Sequence, residues 1–275
     1  MSMSRSAEID PDESPRAAFA YLLRRLRTSG GLTQRDLADR LGYSESQIGM
    51  VEQGRRRPTQ HLADLLDTEF GVEEFGQLYV RTTWAGSPEH FRAWLDEEQE
   101  ATALRSWEPM LVTGLLQTEA YARALFAAEP GITPKEVDER AEARMQRQRV
   151  LTRDKPPTVT AIMDEGVLRR PVGGAEVMRN QLAHILDLAQ HRQISVQVVP
   201  YNAGAYAGLL GGLIIAERHG TPSTVYVESQ PHGRAYEDRA IISGVLRRYD
   251  YVRSEAYPHH LSLNIIKDVM THGPQ

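Results

Sequence analysis

The 275-residue sequence contains no cysteine, which excludes disulfide frameworks and thiolate chemistry and suits a reducing compartment. Long apolar runs are missing too. The most continuous, 207–216, spans ten residues and holds three glycines, whereas a membrane helix needs about 20. No apolar core segment lies within residues 1–15, so the N-terminus does not read as a secretion signal. A cytoplasmic protein without a membrane partner is expected. Catalytic signatures are equally scarce. The glycine-rich stretch 204–212 lacks both G-K-[ST] and G-x-G-x-x-G, and strand entry and turns explain it better. Nine histidines include the pair His259-His260, yet no H-E-x-x-H or other metal spacing occurs. The acids Asp164, Glu165 and Glu228 have no His or Ser at informative spacing. Arg169 to Gly174 opens a helix and could hold an anion there, but a plain loop and helix start is the simpler reading. The expectation is a protein that is not an enzyme, with no catalytic residues, no metal and no cofactor.

Positive charge is also short overall, with a net of −5, but its distribution is uneven. Residues 14–61 carry +5, residues 1–13 carry −3, and residues 62–275 carry −7. A compact basic segment in an acidic chain points to phosphate.

Within that segment the residues spell out two short helices. Arg16 to Ser29 has Phe19, Leu22, Leu23 and Leu26 on one side and ends at Gly30-Gly31. Thr33 is a good N-cap with Asp36 at N3, and Leu32 and Leu37 form a hydrophobic staple. The helix stops at Gly42. The device repeats at once, with Ser44 as N-cap, Gln47 at N3, and Tyr43 stapling onto Ile48. A turn of about three residues containing glycine forces a large crossing angle, giving a helix-turn-helix. Ala38 is small where the helices cross, and Ile48 and Val51 face inward. After Gly54 come Arg55-Arg56-Arg57-Pro58 and a further helix with Leu62, Leu65, Leu66 and Phe70. An αα-hairpin without DNA-binding use would not call for the arginine triplet.

Residues 19–71, centred on GLTQRDLADRLGYSESQIGMVEQGRRRP, resemble the phage-repressor (Xre-type) helix-turn-helix family. The resemblance implies an all-α, five-helix domain that binds a pseudo-palindromic operator on double-stranded DNA as a homodimer, with 45–53 as recognition helix. It implies that Gln34 touches the backbone at the edge of the recognition surface, and that Ser44, Glu45, Ser46, Gln47 and Met50 face the major groove. Arg55, Arg56 and Arg57 would meet phosphates. Glu52 would pair with Arg27 as structural support, because a carboxylate beside phosphate is repelled. Two departures stand out: Gly49 lies mid-helix, at a cost of ~1 kcal/mol relative to Ala, and Met50 replaces a longer polar side chain.

The periodicity past Gly71 predicts a helix over 72–84, a boundary at Gly86-Ser87-Pro88, and a helix over 89–107. A short helix from Thr118 and another from Pro134 to about Thr152 follow, the latter with Arg140, Arg144, Arg147 and Arg149 on a solvated or interface face. Strands over 158–163 and 193–199 flank a helix over 175–191, which is a βαβ unit. A hairpin around Gly220-Thr221-Pro222 and helices near 238–255 and 260–271 close the chain. The expected domains are therefore a flexible N-terminus (1–15), the helix-turn-helix domain (16–85), and a regulatory and dimerisation domain (86–275). The last is α/β or α+β with a small mixed sheet.

PMLVTGLLQTEAYARAL, MDEGVLRRPVGGAEVMRNQLAHILDLA, ISVQVVPYNAGAYAGL and VYVESQ resemble the C-terminal domain of unknown function in actinobacterial antitoxin-like transcriptional regulators. That resemblance implies a regulator modulated by a small cognate partner protein. Two readings stand. In one, the C-terminal domain dimerises and binds such a protein, with Trp94, Trp107, Tyr249 and Tyr251 near the contact faces. In the other, it binds a small-molecule effector in a pocket near Tyr201 to Leu213.

Overall fold

A computed structural model describes residues 9–12, 14–56, 58–83, 89–229 and 232–273. The chain folds as two compact units, residues 1–85 and 86–275. Among the described residues no helix is long and apolar enough to cross a membrane.

Among the described residues the first unit holds five α-helices: α1 (Pro15–Ser29), α2 (Gln34–Leu41), α3 (Glu45–Glu52), α4 (Gln60–Phe70) and α5 (Glu74–Thr83). Hydroxyl caps set four of the starts, Ser14, Thr33, Ser44 and Thr59 each accepting a backbone N–H three residues on. The expected flexible tail over 1–15 needs correction at its end, because Ser14 caps α1 and Pro15 is already helical; residues 1–8 and 13 of that tail lie outside the described residues. Trp84, expected in the fifth helix, and Gly86-Ser87-Pro88, expected as the boundary, also lie outside them. Asp67 of α4 accepts the backbone N–H groups of Phe75 and Gly76 at 2.9 and 2.8 Å, anchoring α5. Phe19, Leu23, Leu37, Ile48, Leu62, Leu66 and Phe75 fill the core, each fully burying a side chain worth about 1.5–3 kcal/mol.

The second unit is α+β. Its strands are β1 (Ala103–Glu108), β2 (Thr158–Asp164), β3 (Ile194–Val199), β4 (Leu213–Arg218), β5 (Thr221–Val227) and β6 (Arg234–Tyr236). They form one mixed sheet in the order β3-β2-β1-β4-β5-β6, parallel on the β1 side and antiparallel from β4 onward. Among the described residues seven α-helices accompany it: α6 (Glu89–Glu100), α7 (Glu119–Ala127), α8 (Pro134–Arg147), α9 (Glu165–Arg169), α10 (Ala175–Leu188), α11 (Arg239–Glu255) and α12 (His259–His272). The period-two alternation of the strands divides the core. Leu104, Ala161, Met163, Val196, Ile214 and Ala216 pack with Trp94, Tyr121, Leu182, Ile185 and Ile266 of the helices. Trp107, Ile162, Leu213, Ile215 and Val225 pack with Ile242, Val245, Tyr249 and Val252 of α11.

The structure corrects several sequence expectations here. The helix over 89–107 ends at Glu100, and Ala103–Glu108 is an interior strand. Leu104 and Trp107 satisfy a helical spacing, but backbone pairing with both β2 and β4 decides the conformation. The hairpin turn falls at His219-Gly220, both at positive φ, and Thr221 and Pro222 lie inside β5. Trp94, Trp107 and Tyr249 are fully buried in the unit's own core, leaving only Tyr251 of that group exposed. The arginines of α8 do not share a solvated face either. Arg147 is buried and donates from Nε and Nη2 to the two oxygens of Glu98 at 2.5 and 2.6 Å, over the Phe91 ring. Trp94 Nε1 adds a third bond to Glu98 at 3.1 Å.

A cavity of about 420 Å³ opens where the ends of β1 and β5 meet α6 and α8, its wall including Phe91, Glu108, Phe126, Arg144, Tyr226 and Glu228. Of the expected effector pocket at Tyr201 to Leu213, only Gly211 and Gly212 reach this wall, and Tyr201 lines a separate cleft. The glycines make room: a Cβ on Gly212 would stand 3.2 Å from Glu108 Oε2, and one on Gly114 would overlap the Arg144 guanidinium. The solvent-facing part of Glu108 sees the confined cavity. Desolvation, reinforced by Glu228, pushes its carboxyl from 4.5 up to about 8, with Arg147 and Arg144 opposing. Desolvation also raises Glu228, and desolvation with the neighbouring Arg147 lowers Arg144 to about 10.

A carboxyl whose folded-state pKa is raised holds its proton more tightly in the folded chain. The stability it contributes is fully present below pH 4.5 and is lost as the pH climbs through about 8. Scanning calorimetry of the full chain should show the C-terminal transition falling in temperature across this window, and Glu108→Gln should make the decline shallower. Identical slopes for wild type and variant would contradict this.

Candidate nucleic-acid interface

Helices α2 and α3 are joined through Gly42, which sits at φ 71° and closes α2 in the left-handed conformation. Both helices begin with reciprocal capping boxes. Thr33 Oγ1 accepts from Asp36 N–H at 3.1 Å while the Asp36 carboxylate accepts from Thr33 N–H at 2.8 Å. The Thr33 hydroxyl, which also donates to the Asp36 carboxylate at 2.6 Å, contributes most to holding that carboxyl below its usual range, followed by the Thr33 N–H. At α3, Ser44 Oγ accepts from Gln47 N–H at 3.2 Å, and Gln47 Oε1 accepts from Ser44 N–H at 3.0 Å and from Ser44 Oγ–H at 3.0 Å. The crossing of the two helices is close. Ala38 and Gly49 are both buried, and a Cβ on Gly49 would stand 3.0 Å from Gln34 Oε1. The glycine that weakens α3 as a helix is thus what lets the start of α2 lie against it.

The geometry separates the expected DNA-facing residues by what each can offer. Ser44, Glu45 and Ser46 are exposed at the N-terminus of α3, and Gln47 and Met50 are half-buried beside them. Gln47 has its carbonyl committed to the cap, while its amide NH₂ has no partner among the described residues. Gln47 therefore presents donors only, suited to an acceptor such as guanine O6 or N7 and unsuited to the bidentate adenine pairing. Glu45 offers an acceptor for cytosine N4, and Met50 an apolar surface. Gln34 is half-buried where α2 meets α3. Beyond α3, Gly54 at φ 67° turns the chain, and the N–H groups of Arg55 and Arg56 both donate to Met50 O at 2.9 and 3.1 Å. Arg55 and Arg56 are exposed and form no ion pair among the described residues; Arg57 lies outside the described residues.

Glu52 is placed away from this surface. It is 4% exposed and receives Arg27 Nε at 2.7 Å and Arg27 Nη2 at 2.6 Å. The remaining Arg27 Nη1 donates to Leu32 O at 2.6 Å. The Glu52 bonds raise the Arg27 pKa despite burial. One guanidinium thus fastens the end of α3 to α1 and to the turn before α2. Sequence reasoning had no signal for the Leu32 carbonyl or for the donor-only state of Gln47, since both follow from which atoms the folded chain has already used.

With this geometry in place, two family models match the chain. One described as Helix-turn-helix covers residues 23–75, and one described as Domain of unknown function (DUF5753) covers residues 91–268. No curated protein and no solved structure matches. The N-terminal unit is a helix-turn-helix domain of the Xre type.

Removing one partner of a buried, bidentate pair leaves the other charge uncompensated. Glu52→Ala should lower the stability of the N-terminal unit by ~3–5 kcal/mol in denaturant titration. A cost under about 1 kcal/mol would place the pair among ordinary surface bridges. Gln47→Glu separates structure from reading, because glutamate also closes a capping box but brings no donor. The variant should melt like wild type and lose specific binding by ~1–3 kcal/mol per contact broken. Unchanged operator affinity would remove Gln47 from the contact surface.

Proposed function

The chain belongs to the family of the domain of unknown function DUF5753, behind a helix-turn-helix, and we propose that it is a sequence-specific transcriptional regulator acting in the cytoplasm. The observation that carries this reading is the exposed face Ser44–Gln47, presented by two capped helices with Arg55 and Arg56 at its far end. In this reading Ser44, Glu45, Ser46, Gln47 and Met50 meet base edges. Gln34 lies at the backbone margin, and Arg55 and Arg56, with Arg57 next to them in sequence, hold phosphates. One such domain covers only a half-site. The protein is therefore read as a homodimer on a pseudo-palindrome whose half-sites lie about one DNA turn apart.

The C-terminal unit is read as the control and dimerisation module, with a sensing rather than a catalytic role. A small antitoxin-style partner protein is the control that the family resemblance suggests. Trp94, Trp107 and Tyr249 are spent on the internal core and are not available to such a partner. The cavity beside Glu108 and Arg144 favours the second reading, control by a small molecule.

Selection from random duplexes should return a pseudo-palindromic sequence, and the complex should have the mass of two chains. No enrichment, or one chain per site, would overturn the proposal. Replacing Arg55 and Arg56 with Ala should weaken specific and non-specific binding alike, shrinking the log–log salt slope by ~1 per lost contact. An unchanged slope would take both residues out of the interface.

A further inference from the structure

The cavity holds ionisable groups that the fold itself leaves without a bonded partner of opposite charge. Of the arginines facing it, Arg147 is neutralised by Glu98, and Arg140 pairs with Glu129. Arg144 has no carboxylate within ion-pairing distance among the described residues. Its Nη1 donates to Gln117 Oε1 at 3.1 Å, and its guanidinium stacks over the Phe126 ring. Glu108 and Glu228 likewise have no hydrogen-bond donor to their carboxyl groups among the described residues, and Glu228 opposes ionisation of Glu108. A chain gains nothing in stability by facing an unpaired arginine and the half-buried Glu108 carboxyl into a confined space, with Glu228 exposed at its edge. Apart from Gln117 and Ser229, the rest of the wall is apolar or aromatic, with Phe91, Phe126 and Tyr226 among its side chains. A space of about 420 Å³ lies in the range of small-ligand sites. It opens at the carboxyl end of β1, where the sheet changes from parallel to antiparallel pairing.

We propose that this cavity binds a small zwitterion of amino-acid or dipeptide size. Its carboxylate lies on Arg144, its ammonium between Glu108 and Glu228, and its apolar side chain among Phe91, Phe126 and Tyr226. A planar guanidinium grips a carboxylate through two parallel bonds, and a pair of carboxyls that repel each other is relieved by a cation placed between them. Gly114 and Gly212 leave the room that Arg144 and Glu108 occupy at the wall. The ionisable groups around Glu108 are Glu228 and Tyr226 on β5 and beyond it, Tyr121 on α7, and Arg144 and Arg147 on α8. Among them an arriving ammonium draws the Glu108 proton off, so binding near neutral pH releases a proton. The consequence for DNA rests on reading the C-terminal unit as the control module; the binding itself does not.

The test is calorimetric titration of the full-length protein with pools of the twenty amino acids and of apolar dipeptides, followed by the single compounds that bind. For a phenylalanine-type hit, 3-phenylpropionate and 2-phenylethylamine each lack one of the two charges. We expect a zwitterion to bind, with proton release seen as a dependence of the heat on buffer ionisation enthalpy. Each one-charge analogue should bind at least about tenfold more weakly. Glu228→Gln, at an exposed strand end, and Arg144→Met should each weaken binding by a similar factor. Their unliganded melting curves show whether each is folded, and the Glu228 variant keeps the test decisive should Arg144→Met not fold. Absence of binding from both pools would overturn the proposal. So would one-charge analogues that bind as well as the zwitterion, or a folded variant with wild-type affinity. Repeating the titration by operator binding, on the duplex recovered by selection, tests the control reading separately. A zwitterion that binds without changing operator affinity leaves the site standing and overturns ligand control.

Discussion

The Arg27 guanidinium is the constraint on which the N-terminal unit turns. Three of its five N–H donors are spent on both oxygens of Glu52 and on the Leu32 carbonyl, so one side chain fixes three elements at once. Glu52 is the last residue of α3, and Leu32 precedes the α2 cap. Rotation of α3 about its own axis would therefore break charge-assisted bonds in a buried setting. An apolar contact could give comparable energy, but it would tolerate a slide of an ångström or a turn of several degrees. A forked ion pair does not, which suits a helix that, in the reading proposed above, meets base edges in one orientation.

The helices of this unit were legible because the signals are local. Caps, staples and terminal glycines depend on residues three or four apart, and the folded chain uses them as the sequence suggests at Thr33, Ser44 and Gly42. In the C-terminal unit the same kind of reasoning succeeded where the pattern was local and failed where partners were distant. Thr133 and Pro134 open α8, and the alternation over 193–199 is a strand. Ala103–Glu108 was misread because Leu104 and Trp107 fit a helical period, while its strand state comes from β2 and β4, more than 50 residues further on. The short β6 was missed for a similar reason, since three residues carry almost no periodic signal and its pairing with β5 is what defines it.

The arginines of α8 carry a different lesson. Arg140, Arg144 and Arg147 recur at helical spacing and so share one face, a signal that alternation with acids along the chain conceals. Spacing shows that they line up but not whether the face meets water. That depended on Glu98, from α6, providing a buried carboxylate to one of them, and on Gly114 permitting close approach of another. The candidate DNA contacts were visible as residues, but their chemistry was not. The capping box converts Gln47 from a donor–acceptor pair into a donor, a change visible only in the bonds.

If the C-terminal unit is the control module, as proposed above, these features bear on how much control it has to exert. Helix α3 offers small hydroxyls, one donor amide, one carboxylate and a methionine, while the phosphate contacts that would supply most of the affinity carry no sequence information. Occupancy of a pseudo-palindrome by such a domain depends steeply on both half-sites being held together, because either alone binds weakly. A control module need not deform the reading helix, which the Arg27–Glu52 pair resists. It has only to alter the free energy of the two-site state, and a coupling of about 1–3 kcal/mol, typical of allosteric linkage, changes occupancy roughly 5–150-fold. Charges left unmatched in a cavity are suited to that task, since a ligand that matches them favours whichever arrangement of the unit holds Arg144 and the two glutamates at the right separation.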